Sequence, residues 1–325
     1  MVNVDELRQL LECIPQDTVG YAFAYGSGAV SQLGEKSDVK MVDFIIVSNN
    51  SLKFHEENLQ RNPCHYSALR YFGANTLTKL QRNFAARVFY NTHISYKGRL
   101  LKYGVVEYED LERDLLDWRW LYLAGRLHKV VVDIVPPPKT LAAAIHENRI
   151  SAIALLLLPG TFTLEQFLTM VVSLSYNGDF RMLFGEDKNK IKKIVDGSSQ
   201  KLAEIFMPIL ENDTRLTITR TSLFELIKDT NMAAVYHRIQ LLPCAILERL
   251  QKVWNQRDSK QRDIEEVTFS LARRLDVAHH IDDAISSIVA PSAIRQTVKN
   301  FLTAGITRSS LYALSKMLKM FKSLA

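Results

Sequence analysis

The sequence predicts an α+β protein with two domains followed by a basic C-terminal segment. In the first part of the chain, short apolar runs rich in β-branched residues alternate with stretches of helical periodicity. Helical periodicity dominates after Leu141, and three consecutive prolines at 136–138 separate the two parts. We therefore expect a first domain at 1–138, a helical domain at 139–291 and a helical tail at 292–325.

The elements of the first domain follow from local patterns. A helix with Val4, Leu7 and Leu11 on one side ends near Pro15. Strands are predicted at 21–25, 41–47, 86–94 and 130–135, with a helix at 111–127. The segment 51–75 is rich in His, Asn, Tyr and Arg, which predicts a helix and loops.

Composition and charge narrow the class of protein. The chain has 325 residues, of which 47% are hydrophobic and 23% charged, as in ordinary globular proteins. No acidic residue follows Asp283, so the tail holds the whole net charge of +6, and we do not expect a nucleic acid partner. The longest apolar run, 150–158, is about half of the roughly 20 residues that a transmembrane helix needs. The three widely spaced cysteines indicate neither a disulfide framework nor a zinc site, and the acidic first residues fit neither a secretory signal nor a transit peptide.

A glycine-flanked serine and a carboxylate form the candidate catalytic site. Gly26-Ser27-Gly28 directly follows the first predicted strand, where the glycines let the backbone approach phosphate oxygens. Asp43 lies in an almost wholly apolar strand, and a buried carboxylate needs a cation. That cation is either a metal ion or a base such as Lys40, which we count with Asp43 as a catalytic candidate. A Gly-Ser turn followed by a strand bearing Asp is the pattern of polymerase-β-like nucleotidyltransferases, which indicates Mg²⁺ bound by Asp43.

The second carboxylate of that pattern is missing. It usually lies two residues away on the same strand, where this chain has Met41, and Asp38 would face the other side. The alternatives are Asp133, Glu56 and Glu57, among which the sequence does not choose.

Further candidates could bind phosphate groups of the substrates. Asn58, Arg61 and His65 would share one face if the segment is a single helix. Lys102, beside Tyr103-Gly104, is a candidate cation for the nucleotide. Charged loops beside glycine often line clefts. The further candidates for phosphate binding in the second domain are therefore Tyr176, Asp179, Arg181 and Lys188.

The chain also resembles a known family over nearly its whole length. The matching blocks are Tyr25–Gly28, Met41–Phe44, His55–Asn62, His65–Ser67, Tyr71–Gly73, Lys102–Val105, Leu121–Arg126 and Ser175–Arg181. They are similar to the mitochondrial translocator assembly and maintenance protein family. This resemblance implies phosphatidate cytidylyltransferase activity with Mg²⁺, in which CTP and phosphatidic acid give CDP-diacylglycerol and pyrophosphate upstream of cardiolipin.

The resemblance also implies a place in the cell and a fold. It implies the matrix face of the mitochondrial inner membrane, and a polymerase-β-like nucleotidyltransferase domain. Tyr25 joins Gly26, Ser27, Gly28 and Lys102 as expected nucleotide contacts. For the mostly helical second domain, a winged-helix-like form is one option.

The tail has the pattern of a helix that lies on an anionic membrane surface. Between Leu311 and Ala325, apolar residues line one side of a helix and lysines occupy the adjoining arc. The membrane contacts expected there are Lys316, Lys319, Phe321 and Lys322. The alternative is a helix that packs on its own protein with the lysines outward.

Two other functions fit parts of the pattern. A nucleotidyltransferase that acts on RNA would use the basic tail on nucleic acid. A non-catalytic scaffold for protein import would explain the missing second carboxylate. The spacing of the candidate residues determines neither the base of the nucleotide nor the oligomeric state of the protein.

Overall fold

The computed structural model describes residues 3–30, 41–149, 152–182, 187, 189–219 and 225–305. The helices in these ranges are α1 (Val4–Leu11), α2 (Ser51–Arg61), α3 (Gly73–Asn83), α4 (Tyr108–Asp117), α5 (Ala124–Leu127), α6 (Lys139–Asn148), α7 (Ala152–Leu157), α8 (Leu164–Ser173), α9 (Lys190–Glu211), α10 (Met232–Gln240), α11 (Cys244–Asp258), α12 (Ile264–Ala272) and α13 (Val277–Ala304). The strands are β1 (Val19–Tyr25), β2 (Val42–Ser48), β3 (Phe89–Tyr96), β4 (Arg99–Glu107), β5 (Val132–Val135), β6 (Thr161–Thr163), β7 (Leu216–Thr219) and β8 (Glu225–Lys228). Short 3₁₀ helices occupy Pro63–His65, Ala68–Phe72, Leu174–Tyr176 and Phe180–Met182.

A five-stranded sheet with the order β3-β4-β2-β1-β5 organises the first part of the chain. Strands β2 and β4 are parallel, and the other neighbouring pairs are antiparallel. The register places Tyr25 opposite Asp43, and Asp43 opposite Lys102. Because residues opposite each other share a face of the sheet, these three side chains project to the same side.

The two faces of this sheet are covered by different helices. Alternate residues of β1 and β2, such as Ala22 and Phe44, pack with α1 and with Phe54 of α2. The other face, which includes Phe23 and Ile45, packs against helices from α4 to α7 and from α10 to α13. One core therefore joins residues from both sides of the prolines at 136–138.

The second part of the chain is mostly helical but contains a small sheet. Strands β6, β8 and β7 form a three-stranded antiparallel sheet that the sequence patterns did not indicate. This sheet packs with α7, α8 and α9 around buried residues such as Phe162, Phe167 and Phe206. None of the helices within the described ranges is both long and apolar enough to cross a bilayer.

The α+β class and the main strands are confirmed, with three corrections. The single helix expected at 111–127 is wrong, because α4 ends where Trp118 adopts a left-handed conformation with φ of 55°. Strand β4 was not predicted. The helix expected to carry His65 ends at Arg61, since Pro63 begins a separate 3₁₀ turn.

Candidate active site

A tight turn at the end of β1 brings the backbone to the start of β2. Gly26 has a φ of 73°, and its carbonyl accepts hydrogen bonds from the amides of Ala29 and Val30. A Cβ atom at Gly28 would lie 2.2 Å from the carbonyl oxygen of Met41, so this position tolerates only glycine. The two glycines thus hold Ser27 beside the first residues of β2.

Asp43 and Lys102 form the centre of the site. The Asp43 Oδ1 and Lys102 Nζ atoms are 3.5 Å apart, and 22% of the Asp43 side chain is exposed. A Cβ placed on Gly26 would lie 3.6 Å from Asp43 Oδ2, which puts the turn directly beside the carboxylate. The cation beside Asp43 in this structure is therefore Lys102, which belongs to the neighbouring strand.

Arg126 extends the positive charge over the tyrosines of the same sheet face. Its guanidinium carbon lies 4.5 Å from the ring centre of Tyr25 and 4.9 Å from that of Tyr122. One of its terminal nitrogens donates to the Tyr122 hydroxyl at 3.2 Å. The Tyr25 hydroxyl and Arg126 Nε are buried without a hydrogen-bond partner among the described residues. Both atoms are suited to contact a polar ligand.

Helix α5 positions Arg126, and the buried Asp114 positions α5. The Asp114 carboxylate accepts hydrogen bonds from the backbone amides of Trp120, Tyr122, Leu123 and Ala124. These bonds satisfy the amide groups at the start of α5, which would otherwise lack partners. A Cβ on Gly125 would lie 2.1 Å from that of Ser175, so glycine lets α5 pack directly on the segment 174–176.

Two further cations lie near the contact between Gly125 and Ser175. Lys129 Nζ donates to Ser175 Oγ at 2.8 Å and lies 4.1 Å from the ring centre of Tyr176. Lys190 approaches the same ring at 5.2 Å. Burial lowers the pKa of Lys129 to about 8, and the nearby charges of Arg126 and Lys190 act in the same direction.

Arg181 joins this cluster of positive charge. Asp179 is buried, and its carboxylate accepts three hydrogen bonds from the Arg181 guanidinium, the shortest at 2.6 Å, which fixes the arginine side chain. Burial alone would raise the pKa of the Tyr122 hydroxyl. The positive charges of Arg126, Arg181 and Lys102 outweigh burial and lower that pKa to about 8. We call the set Lys102, Arg126, Lys129 and Arg181 the cationic cleft.

The predicted residues Asn58, Arg61 and His65 lie elsewhere. The amide of Asn58 donates to the hydroxyls of Tyr66 and Tyr103, and His65 Nδ1 is 2.9 Å from the Tyr103 hydroxyl. Tyr103 follows Lys102 on β4, so its side chain projects from the opposite face of the sheet. Arg61 donates to the carbonyl of Glu12 at 2.9 Å. The structure therefore does not bring these three residues to the cationic cleft.

The alternatives for the second carboxylate are also distant from Asp43. Asp133 accepts a hydrogen bond from the Tyr21 hydroxyl at 2.7 Å, and β5 is separated from β2 by β1. Two strand spacings alone amount to roughly 10 Å. Glu56 and Glu57 lie on α2, which covers the other face, and Glu57 pairs with Lys53. No three His, Cys, Asp or Glu side chains in the described residues are grouped as a metal site.

Several predicted residues lie outside the described residues. These are Lys40, Lys188, Lys316, Lys319, Phe321 and Lys322. The structure also adds residues that the sequence patterns did not single out. They are Tyr122, Arg126 and Lys129, of which the first two lie in the block Leu121–Arg126 that carries the family resemblance without a role assigned to them.

The arrangement is suited to bind a polyphosphate. Four cations of the described residues outnumber the two carboxylates beside them, the partly exposed Asp43 and the buried Asp179, and a glycine turn adds backbone donors. A partly buried excess of positive charge attracts an anion more strongly than it would in water. The cleft therefore offers the positive charge and the oxygen ligand that phosphoryl chemistry requires.

Comparison with known proteins gives a consistent assignment. Residues 7–319 match the family model described as phosphatidate cytidylyltransferase, mitochondrial. A protein of that name from Caenorhabditis elegans is 49% identical over 98% of this chain and 100% of its own length. The Xenopus laevis protein of that name is 36% identical over 98% of this chain and 95% of its own length. The Homo sapiens protein is 36% identical over 92% of this chain and 66% of its own length.

Proposed function

The chain belongs to the family of mitochondrial phosphatidate cytidylyltransferases, and we propose that it transfers CMP from CTP to phosphatidic acid. The products are CDP-diacylglycerol and pyrophosphate, and the CDP-diacylglycerol is used in the synthesis of cardiolipin. Relatives that match along almost the whole chain carry the name of this activity. The observation that connects the activity to particular residues is the cationic cleft beside Asp43.

The triphosphate of CTP would lie between the turn 26–28 and the cationic cleft. The Gly26-Ser27-Gly28 backbone approaches the start of β2, so its amides and the Ser27 hydroxyl supply neutral donors. Lys102 supplies positive charge from the sheet, and Arg126, Lys129 and Arg181 supply it from the segments that face the sheet. Charge-assisted hydrogen bonds to phosphate are about twice as strong as neutral ones.

The reaction follows from this placement. A phosphate oxygen of phosphatidic acid attacks the α-phosphorus of CTP, and the bond from that phosphorus to the β-phosphate oxygen breaks. The nucleophile is already ionised at neutral pH, so no side chain has to remove a proton from it. The role of Lys102, Arg126 and Arg181 is to hold the phosphates in line and to stabilise charge on the leaving pyrophosphate.

Asp43 would hold Mg²⁺ together with oxygens of the bound phosphates. Magnesium is commonly bound by one or two carboxylates plus substrate phosphates, and Asp43 is partly exposed in the site. When bound, the ion would supply positive charge that offsets the negative charge of the phosphates. Among the described residues, Asp43 is the carboxylate that we assign to it, since Asp133 lies on β5 and Glu56 and Glu57 lie on α2 over the other face of the sheet.

We extend the proposal to the fold and the cellular location. The turn 26–28 and the strand that carries Asp43 support a polymerase-β-like nucleotidyltransferase domain. In this proposal the second part of the chain forms a winged-helix-like domain. The relatives are named mitochondrial, and a lipid substrate supports a peripheral position on the matrix side of the inner membrane. The lysines of 316–322 would contribute contacts with the anionic surface.

One assay separates this function from the two alternatives. The protein is incubated with Mg²⁺, phosphatidic acid vesicles and each α-labelled nucleoside triphosphate in turn, and label is measured in the lipid phase. The proposal predicts label in lipid with CTP and not with the other three nucleotides. Label in added RNA instead of lipid would support an RNA nucleotidyltransferase. Absence of label in both, with intact protein, would support a scaffold.

A further inference from the structure

The last three turns of α13 have their polar side buried and their apolar side exposed. The buried residues of this segment include Ser292, Gln296, Lys299 and Thr303. The exposed residues, each about half accessible, are Ile294, Val298, Phe301 and Leu302. These four positions lie on one side of the helix at spacings of four, three and one residues. A surface helix normally has the reverse arrangement, so the outward stripe requires an explanation.

Hydrogen bonds of the buried side fix this orientation. Lys299 Nζ donates to the carbonyls of Gln81 and Phe84 at 3.0 and 2.9 Å, at the C-terminal end of α3. The Gln296 side chain accepts from the amide of Ala86 and donates to the carbonyl of Val88, both at 3.1 Å. These contacts satisfy buried backbone groups, and a rotation of α13 would break them. The apolar stripe is therefore held outward.

A second exposed apolar element lies beside the end of this stripe. Tyr71 is 77% exposed and Phe72 is 67% exposed, both in the 3₁₀ helix Ala68–Phe72. This helix begins after Ser67, whose hydroxyl donates to the carbonyl of Leu302 at 3.2 Å. At about 2 Å of rise per residue, Phe72 lies within roughly 10 Å of Ser67. We call Tyr71, Phe72, Ile294, Val298, Phe301 and Leu302 together the apolar surface.

The surroundings of the apolar surface carry positive charge. No acidic residue occurs between Glu57 and Glu107, or after Asp283, and these two acid-free stretches contribute the whole surface. Lys79 and Arg295 are exposed on them, and the half-buried Arg70 donates to the Tyr71 hydroxyl at 2.9 Å. None of the three forms an ion pair with a described residue. An apolar surface bordered by unpaired cations combines two kinds of attraction, one for hydrocarbon and one for anions.

The positive charge around the apolar surface indicates which partner binds to it. Residues 306–325 are apolar enough to cover the surface, but they carry Arg308 and three lysines without an acidic residue. A second copy of the chain would bring the same cations, which repel one another. A bilayer with anionic lipids has the opposite charge and an apolar interior.

We propose that the apolar surface docks the protein on an anionic bilayer, with Tyr71 and Phe72 inserted at the interface. This inference rests on the proposed function, because an enzyme with a lipid substrate must reach the membrane. It assigns membrane contact to the folded body of the protein, in addition to the contact expected from the lysines of 316–322. Aromatic side chains with a polar group are favoured at membrane interfaces.

The test measures binding to vesicles with the full-length chain and without CTP. The double variant Tyr71→Ala with Phe72→Ala is compared with wild type in sedimentation with phosphatidylcholine vesicles that contain phosphatidylglycerol, which is anionic but not the substrate. We expect the partition coefficient to fall by roughly tenfold or more. Changing Arg295→Gln should weaken binding by roughly fivefold on these vesicles and not on phosphatidylcholine alone.

A matched control changes two exposed apolar residues elsewhere, Leu275→Ala with Val253→Ala, and should bind as wild type. Wild-type binding by the Tyr71 and Phe72 double variant would overturn the docking surface. A change in oligomeric state, with vesicle binding intact, would assign the surface to a second copy and also overturn it.

The turnover of short-chain phosphatidate in detergent separates this inference from the proposed function. The double variant should keep wild-type turnover there, since the substrate no longer has to be extracted from a bilayer. A wild-type protein that lacks this turnover but binds vesicles through Tyr71 and Phe72 would refute the activity and leave the docking surface standing.

Discussion

Replacement of Arg126 by methionine tests the cationic cleft most selectively. The guanidinium lies against Tyr25 and Tyr122 at 4.5 and 4.9 Å, and the positive charges of Lys102 and Arg181 act on the same tyrosine. If a phosphate charge binds about 4 Å away, the attraction at an effective dielectric of about 20 is about 4 kcal/mol. Solvent and the neighbouring cations reduce this value, so we expect kcat/KM for CTP to fall by roughly 10²- to 10³-fold.

The free energy of unfolding should change little in the same variant. The change removes the hydrogen bond to the Tyr122 hydroxyl and two contacts between Arg126 and aromatic rings, each worth about 1 kcal/mol, but it also relieves repulsion between like charges. Arg273→Met is the matched control, because Arg273 lies 4.4 Å from the ring of Phe269 outside the site. Steady-state kinetics and urea denaturation measure the two effects. If Arg126→Met and Arg273→Met have equal kcat/KM, Arg126 does not contact the triphosphate.

Two further changes test how the site is built, and a third tests the buried polar network on the other face of the sheet. Asp114→Ala leaves four backbone amides without their acceptor, so we expect a loss of about 3–5 kcal/mol in urea denaturation, and a loss below 1 kcal/mol would contradict this role. Gly125→Ala places a Cβ 2.1 Å from that of Ser175 and should reduce both stability and activity, whereas Gly160→Ala, with its nearest neighbour at 3.5 Å, should not. Burial lowers the pKa of His55 in the folded protein to about 4, so as the pH falls the unfolded chain binds a proton before the folded chain does. The free energy of unfolding should therefore decrease as the pH drops from about 6.5 to 4. In His55→Gln this dependence should be weaker by up to about 1.4 kcal/mol per pH unit, and an unchanged slope would refute the assignment.

The local parts of the fold could be predicted from the sequence. Strand patterns and the glycine turn located β1, β2 and the position of Asp43, since these features depend on neighbouring residues. Lys102 was predicted as a nucleotide cation, and the parallel pairing of β2 with β4 places it beside Asp43. The role of both residues in binding CTP stays a prediction.

The features that the sequence did not reveal depend on packing between distant segments. Arg126 and Lys129 reach the site because Gly125 packs on Ser175, a contact between residues 50 positions apart. The helix expected at 111–127 ends early because the Asp114 carboxylate binds the amides of the following turn. These hydrogen bonds have no counterpart in helical periodicity.

One polar cluster that helical spacing grouped with the phosphate site lies elsewhere in the structure. Asn58 and His65 share a buried hydrogen-bond network with Tyr103, on the face of the sheet opposite to Lys102. Their residue types resemble those of a phosphate site, but burial with tyrosine hydroxyls satisfies their hydrogen bonds within the protein. Asn58, Arg61 and His65 therefore have no part in the site that we propose.

The most direct test of the account is the activity of Asp43→Asn. The substitution conserves size and removes the charge that pairs with Lys102 and would hold Mg²⁺. With labelled CTP, Mg²⁺ and phosphatidic acid vesicles, we expect labelled CDP-diacylglycerol to form at least about 10²-fold more slowly than in wild type. Circular dichroism and the unfolding midpoint should stay close to wild type. A folded Asp43→Asn protein that forms CDP-diacylglycerol at the wild-type rate would contradict the account.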